Sequence, residues 1–214
     1  MYVAEIWRYP VKSMAGESLE RAYVDSTGID GDRLAHVENS RGLLITARTH
    51  PGLLGHHGTL DAEGEPLVDS IRWSEPASQN KVIAVVGTGA RLVRDTDVRC
   101  FDILPLLVAT DGAISAFGYD GRRLRPNIII GGVEGLAERE WPGKVLRIGD
   151  ALIGVRDLRG RCVMTTYDPD TLEQDRGVLQ TILREFGGKL ALNCFVVWPG
   201  EIRVGDAVEI QNSR

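Results

Sequence analysis

The sequence predicts a mainly β protein with a few short helices. Three observations carry that prediction: short segments of alternating polarity, turn dipeptides at frequent intervals, and one turn motif used twice. Residues 2–8, 18–24 and 33–37 alternate roughly as half-buried strands do, and the apolar run 82–86 is read as a strand with them. Gly-Asp pairs at 31–32, 149–150 and 205–206 punctuate the chain, and its 25 glycines suit many such turns. The motif Arg-Ile-Gly-Asp-Ala-Leu at 147–152 is echoed as Arg-Val-Gly-Asp-Ala-Val at 203–208, which predicts two hairpins with tight turns. One helix is legible: Val178, Leu179, Ile182, Leu183 and Phe186 recur at helical spacing, with Asp175 as N-cap and Gly187 as stop. Residues 61–89, with two prolines and few long apolar runs, read as the irregular or linking part. A boundary near Asp95 divides the chain into 1–95 and 96–214.

Composition narrows the function classes. With 214 residues, 43% of them hydrophobic and 26% charged, the chain has the make-up of an ordinary globular protein with a substantial core. Its 25 basic and 30 acidic residues leave a net charge of -5, and no run of lysine or arginine forms a phosphate-tracking stripe. Nucleic acid is therefore not an expected partner, whereas a small anion held in a local basic pocket is compatible with this balance. The first residues, MYVAEIWRYPVKS, have no long apolar core of a signal peptide, and the longest apolar stretch, 103–109, is short and broken by Pro105. No membrane association is expected. Cys100, Cys162 and Cys194 form no Cys-x-x-Cys pair and leave one thiol over in any disulfide scheme, which fits a reducing cytoplasm.

Four segments carry candidate chemistry. Cys162 stands between Arg161 and Val163 in DLRGRCVMTTYDPDT, with Arg159 close by. Two readings stand side by side: a small residue buried on a strand, or a thiol whose thiolate is favoured by guanidinium charge and binds soft metals or carries sulfur. On a regular strand Arg161 and Cys162 would point to opposite faces, so one site can use both only if Gly160 bends the backbone. In the second segment a strand ends at Pro10 and presents Lys12 and Ser13, either solvated surface or, with loop N–H groups, a phosphate cradle. In the third, the turn Gly-Ile-Asp-Gly-Asp delivers Arg33 to a strand, either as a ligand contact or as half of an Asp-Arg pair. In the fourth, Arg125 and Asn127 stand at the entry of the apolar run Ile128-Ile129-Ile130, two residues apart and so on one strand face. There they cap the strand edge or reach a common ligand. Cys100 and Cys194, each beside apolar strand residues, read as buried structural thiols. The four histidines have no metal-ligand spacing, His56-His57 reads as a surface loop, and no lysine stands out as a Schiff-base site.

The segments RYPVKSMAGE, GIDGDR, TARTHP, LRPNIIIGG, RGRCVMTTYDPDT and GEIRVGDAVEI, taken in this order, resemble the MOSC proteins. These are named for the carboxy-terminal domain of molybdenum-cofactor sulfurases. The resemblance is to the two-part version with an amino-terminal MOSC β-barrel segment, as in the mitochondrial amidoxime-reducing components and their bacterial relatives. It spans Val3 to Ile210 and implies a β-barrel related to the pyruvate kinase β-barrel domain, with residues 1–95 as the amino-terminal segment and 96–214 as the MOSC domain. It implies a molybdopterin-type molybdenum cofactor with Cys162 as metal ligand and Lys12 and Ser13 on the phosphate. Arg33, Arg125, Asn127 and Arg161 would line the remaining cofactor contacts, with Asp102 and Arg48 as further carry-overs. The run Asp157-Leu158-Arg159-Gly160 and the wall Leu192-Asn193-Cys194-Phe195 depart from the family pattern, so the entrance and the substrate-facing wall are expected to differ.

The activity the resemblance implies is two-electron reduction of N-hydroxylated small molecules, with Cys162 as the catalytic residue. A separate ferredoxin- or cytochrome-like electron-transfer protein is expected, because the chain has no dinucleotide fingerprint, haem-attachment motif or cysteine cluster. The fused ferredoxin of some relatives is not expected after Arg214. A sulfur carrier or sulfurtransferase using a persulfide on Cys162 is the alternative, and a module that stores or delivers the cofactor is a third.

Overall fold

The structure is a computed structural model and describes residues 1–95 and 101–212. The first part of the chain forms β1 (Tyr2–Arg8), β2 (Glu17–Leu19), β3 (Arg21–Asp25), β4 (Gly28–Ile29), β5 (Ala35–Glu38) and β6 (Leu44–Ile45). There follow β7 (Gly58–Leu60), β8 (Pro66–Val68), β9 (Ile71–Arg72), the helix α1 (Pro76–Val86) and β10 (Arg91–Arg94). Beyond residue 101 come β11 (Leu106–Thr110), α2 (Asp111–Phe117), β12 (Ile128–Gly131), β13 (Lys144–Ile148) and β14 (Ala151–Gly160). The chain closes with α3 (Arg176–Phe186), β15 (Lys189–Trp198), β16 (Gly200–Arg203) and β17 (Val208–Asn212). The mainly β prediction with a few short helices therefore holds.

Eight strands make one sheet in the order β17-β13-β14-β15-β11-β12-β1-β2. Every neighbouring pair is antiparallel except β11 and β12, which α2 joins as a crossover. The sheet curls until β1 meets the approach to β17. Tyr2 bridges Ala207, Val3 N–H donates to the Asp206 carbonyl at 2.9 Å, and Gly205 N–H donates to the Val3 carbonyl at 2.8 Å. Closure removes most of the exposed edge and gives the barrel implied by the MOSC resemblance. Its interior is filled by alternating strand residues such as Val3, Ile6, Val108, Ile128, Ile130, Leu146, Ile153 and Leu192. Two further apolar clusters pack outside it. One gathers Val11, Met14, Val37, Leu53 and Val82, and the other gathers Phe117 and Leu124 with the buried stripe of α3.

Several local expectations are corrected. Residues 18–24 are two strands, because the chain bends at Glu20: β2 pairs with β1, and β3 pairs with β16 in another sheet. Residues 82–86 belong to α1 and not to a strand. Pro76 starts that helix, and Val82 is buried in the second cluster while its neighbours pack partly against it. A five-residue apolar run has no period that separates helix from strand, so tertiary burial decides. Residues 61–89 are ordered by that helix and by the hairpins of β7, β8 and β9. The first Gly-Asp echo is the hairpin of β13 and β14, but the second is not a hairpin. β16 pairs with β3 and β17 with β13, so Gly205, at φ 91°, carries the chain from one sheet to the other at the barrel seam. α3 is as predicted: the Asp175 side chain accepts from Gly177 N–H at 2.8 Å and Gly187 ends the helix in the left-handed region.

Candidate functional site

Three segments of the site, those holding Lys12, Arg33 and Cys162, follow the ends of strands. After β1, Pro10 has no N–H to continue a ladder, and the chain is pinned instead by Lys12 N–H to the Ala35 carbonyl at 2.8 Å and Ala35 N–H to the Pro10 carbonyl at 3.0 Å. Ser13 follows in the left-handed region at φ 72°, and its hydroxyl accepts from Ala47 N–H at 3.0 Å. Arg33, at φ 50°, leaves the turn in which Asp32 is wholly buried and accepts from Tyr9 N–H at 2.7 Å. β14 stops at Gly160, so Arg161 and Cys162 lie beyond the regular strand, and both reach one site. The Cys162 carbonyl accepts from Thr165 N–H at 3.1 Å and from its hydroxyl at 2.9 Å, opening the turn Val163–Thr166.

Lys12, Ser13, Arg33, Asp102, Arg125, Asn127, Arg161 and Cys162 all line one cavity of about 160 Å³. The three apolar clusters meet there through Leu106, Leu124 and Met164. Arg48, which the resemblance also pointed to, lines it, as do Arg123, Arg159 and Asn193. Among the described residues the lining thus holds seven basic side chains and one acidic one, in a chain whose net charge is -5.

Asp102 is the hub of this charge. Its carboxylate takes Lys12 Nζ at 2.7 Å, Arg48 Nη2 at 3.1 Å and Arg159 Nη2 at 3.1 Å. Burial alone would raise its pKa, but the Lys12 charge and hydrogen bond, then Arg48 and Arg159, outweigh burial and hold the carboxyl below the usual range. Arg48 also interacts electrostatically with the Cys162 side chain. Burial pushes Arg125 and Arg159 down, and pushes Arg161, beside Arg159, down to about 10. Arg161 Nη2 donates to the Leu124 carbonyl at 2.7 Å, while its Nε and Arg123 Nη1 are buried with no hydrogen-bond partner among the described residues. Crowded, partly desolvated cations with unused donors are stabilised by a multiply charged anion.

The geometry changes the reasons for two residues. Arg125 is not on a strand face with Asn127: it ends the turn Gly121–Leu124 in the left-handed region at φ 54°, donates to the Met14 carbonyl at 2.7 Å and lies 4.3 Å over the Tyr9 ring. Asn127 is 1% exposed and committed inward. Its amide donates to Asp32 at 3.2 Å and to the Trp7 carbonyl at 3.3 Å, and its oxygen accepts from Leu107 N–H at 3.1 Å and from Arg33 at 3.4 Å. It frames Arg33 and spends no free donor on a ligand. Asn193 belongs to the segment expected as the substrate-facing wall, but the sequence assigned it no role. It donates to Asp157 at 2.6 Å and accepts from Arg159 at 3.2 Å, orienting that guanidinium. Arg159 had a usable signal, since it stands two residues before Arg161; Arg123, on a short turn, had none. Cys194 is wholly buried on β15 and burial pushes its thiol up, as a structural thiol requires. Cys100 lies outside the described residues.

These residues fit a molybdopterin-type group on their donor chemistry: cations and unused guanidinium donors suit a phosphate, and one thiol suits a soft metal. No cluster of three or more His, Cys, Asp or Glu among the described residues would hold a metal without such a partner. No helix among the described residues is long and apolar enough to cross a membrane.

Fold and site together define a closed β-barrel protein with a cleft lined by basic side chains and by Cys162. Residues 1–87 match the MOSC N-terminal beta barrel domain and residues 113–209 match the MOSC domain, so the chain belongs to the two-part MOSC proteins. Mitochondrial amidoxime-reducing component 1 of Homo sapiens is 26% identical over 96% of this chain and 82% of that protein. The molybdenum cofactor sulfurase of Bombyx mori is 34% identical, over 39% of this chain and 10% of that protein. The crystal structure of the YuaD protein from Bacillus subtilis superposes with a TM-score of 0.55 and 14% identity, covering 100% of this chain and 96% of that one, which speaks to the fold.

Proposed function

We propose that this protein is a molybdenum-cofactor-dependent reductase of N-hydroxylated small molecules, acting in the cytoplasm. The observation that carries the reading is one cavity in which Cys162 and seven basic side chains converge. A molybdenum-cofactor-related function is supported by the family and by relatives named for amidoxime reduction and for cofactor sulfuration. Lys12, Arg33, Arg125 and Arg161 would hold the cofactor's anionic end, and Cys162 would ligate the metal. When bound, the molybdenum centre supplies two-electron oxygen-atom transfer. Asp102 keeps Lys12, Arg48 and Arg159 gathered, so that the cations are aligned before an anion arrives. Asn127 and Asp32 fix Arg33, and Asn193 fixes Arg159. Reduction of an N–OH group to N–H and water consumes two electrons and two protons. A separate ferredoxin- or cytochrome-like protein would deliver the electrons.

The sulfur-carrier reading is favoured by the half-exposed position of Cys162 against Arg48, which would stabilise a persulfide anion. One experiment separates the two. Protein from a cofactor-competent host is assayed for benzamidoxime reduction with an artificial electron donor, and Cys162 is examined by mass spectrometry. Reduction that Cys162→Ser abolishes supports the reductase. Molybdenum-free protein carrying one extra sulfur atom on Cys162, with no reduction, overturns it in favour of the carrier.

A further inference from the structure

A second cavity, of about 460 Å³, backs onto the first and shares Arg123, Arg125 and Met164 with it. That volume lies within the range of small-molecule sites, roughly 300–1,000 Å³. Its apolar walls are Trp7, Leu54, Met164, Tyr167 and Pro169. Trp7 is available because Val3 and Ile6 take the barrel-facing positions of β1, and its indole N–H is satisfied by Glu5 at 2.6 Å. Tyr167 closes the turn that Cys162 opens, so an aromatic wall and the thiol are fixed by the same short segment.

Most charged side chains around this cavity, among the described residues, are already paired with an opposite charge, and Arg125 is held by a carbonyl. Glu17 accepts from Arg8 at 2.9 Å, and Arg122 donates to Asp120 at 2.7 Å and Asp170 at 2.6 Å. Arg123 donates to Asp168 at 2.8 Å and Arg125 to the Met14 carbonyl at 2.7 Å. A charged guest would have to break such a pair, whereas a neutral flat ring lies against indole, phenol and thioether without disturbing any of them. Arg123 Nη1, at the wall common to both cavities, keeps an unused donor. From this juxtaposition we propose that the second cavity seats the aryl ring of a neutral aromatic substrate, so that its N–O head group enters the Cys162 cleft past Met164. The redox part rests on the reductase reading; the ring site does not.

Ser18 tests it. This exposed residue lies opposite Trp7 in the β1-β2 pairing and lines the second cavity, so Ser18→Trp fills the mouth without touching the core or the cleft. In the metal-loaded enzyme, KM for benzamidoxime is expected to rise about fivefold or more with kcat unchanged, while acetamidoxime, which has no ring, is unaffected. Ser18→Thr, which adds no ring, should behave as wild type. The independent readout is saturation-transfer NMR of benzamidoxime with metal-free Cys162→Ala protein: transfer to the ring protons is expected, and adding Ser18→Trp should remove it. Equal transfer with and without Ser18→Trp, or parallel KM changes for both amidoximes, would overturn the ring site. If wild-type protein reduces neither amidoxime while the NMR contrast persists, the ring site stands and the reductase reading falls.

Discussion

Asp102 sets the balance of the cleft, because one carboxylate holds three cations that would otherwise repel each other. Asp102→Asn is predicted to lower the melting temperature, since crowded cations lose a shared counter-charge, and added inorganic phosphate should recover more of the loss than it adds to wild type. A phosphate that rescues both proteins equally would contradict this role. Lys12→Ala should weaken cofactor binding by roughly 1.5–3 kcal/mol if its contact is charge-assisted, read as molybdenum lost during dialysis. Alkylation of native protein, resolved by peptide, should label half-exposed Cys162 and spare buried Cys194. At this scale the grouping of Lys12, Arg33, Arg161 and Cys162 was legible through the family resemblance, since their residue types alone left a structural reading open beside the functional one. The role of Asn127 was not legible. Only the fold reveals that its four hydrogen-bonding sites are used within the frame.

Among the elements, the helices show where sequence periodicity suffices. α3 could be read because its apolar stripe spans three turns and both caps have the right residues. α1 could not, because the apolar run 82–86 is short and only Val82 and Ser78 are buried in that helix. The second Gly-Asp echo misled for another reason: local turn chemistry says nothing about which strand a neighbour pairs with. The short turn Ala137–Glu140 carries a separate prediction. Glu138 is wholly buried, and burial outweighs a long 3.4 Å bond from the Thr110 hydroxyl, so its pKa is raised above the ordinary 4.5. The folded state therefore keeps this proton to higher pH than the unfolded chain does. Stability from this group is retained below 4.5 and falls as pH rises through the raised value. Glu138→Gln should gain stability relative to wild type between that pH and neutrality, measured by denaturant unfolding; parallel pH profiles would contradict it.

For the molecule as a whole, barrel closure brings distant loops to one place. Segments at 12–13, 102, 123–127 and 159–162 share a cavity because β1, β12, β11, β15 and β14 are neighbours in one curled sheet, and Arg33 and Arg48 reach it from either end of the β5-β6 pair. The sequence order of those segments pointed to the family, but the two cavities and the pairing of their charges exist only in three dimensions. The concentration of cation in an acidic chain also makes anion retention sensitive to salt, since the focused field is local and the net field is repulsive. The most direct measurement of the central claim is molybdenum per protein for wild type and Cys162→Ala, produced side by side in one cofactor-competent host and purified in low salt. Bound metal in wild type and its loss in Cys162→Ala, with both proteins equally folded, is the predicted result. The same metal content in both, or none in wild type, would contradict a cleft built to hold a molybdenum cofactor through Cys162.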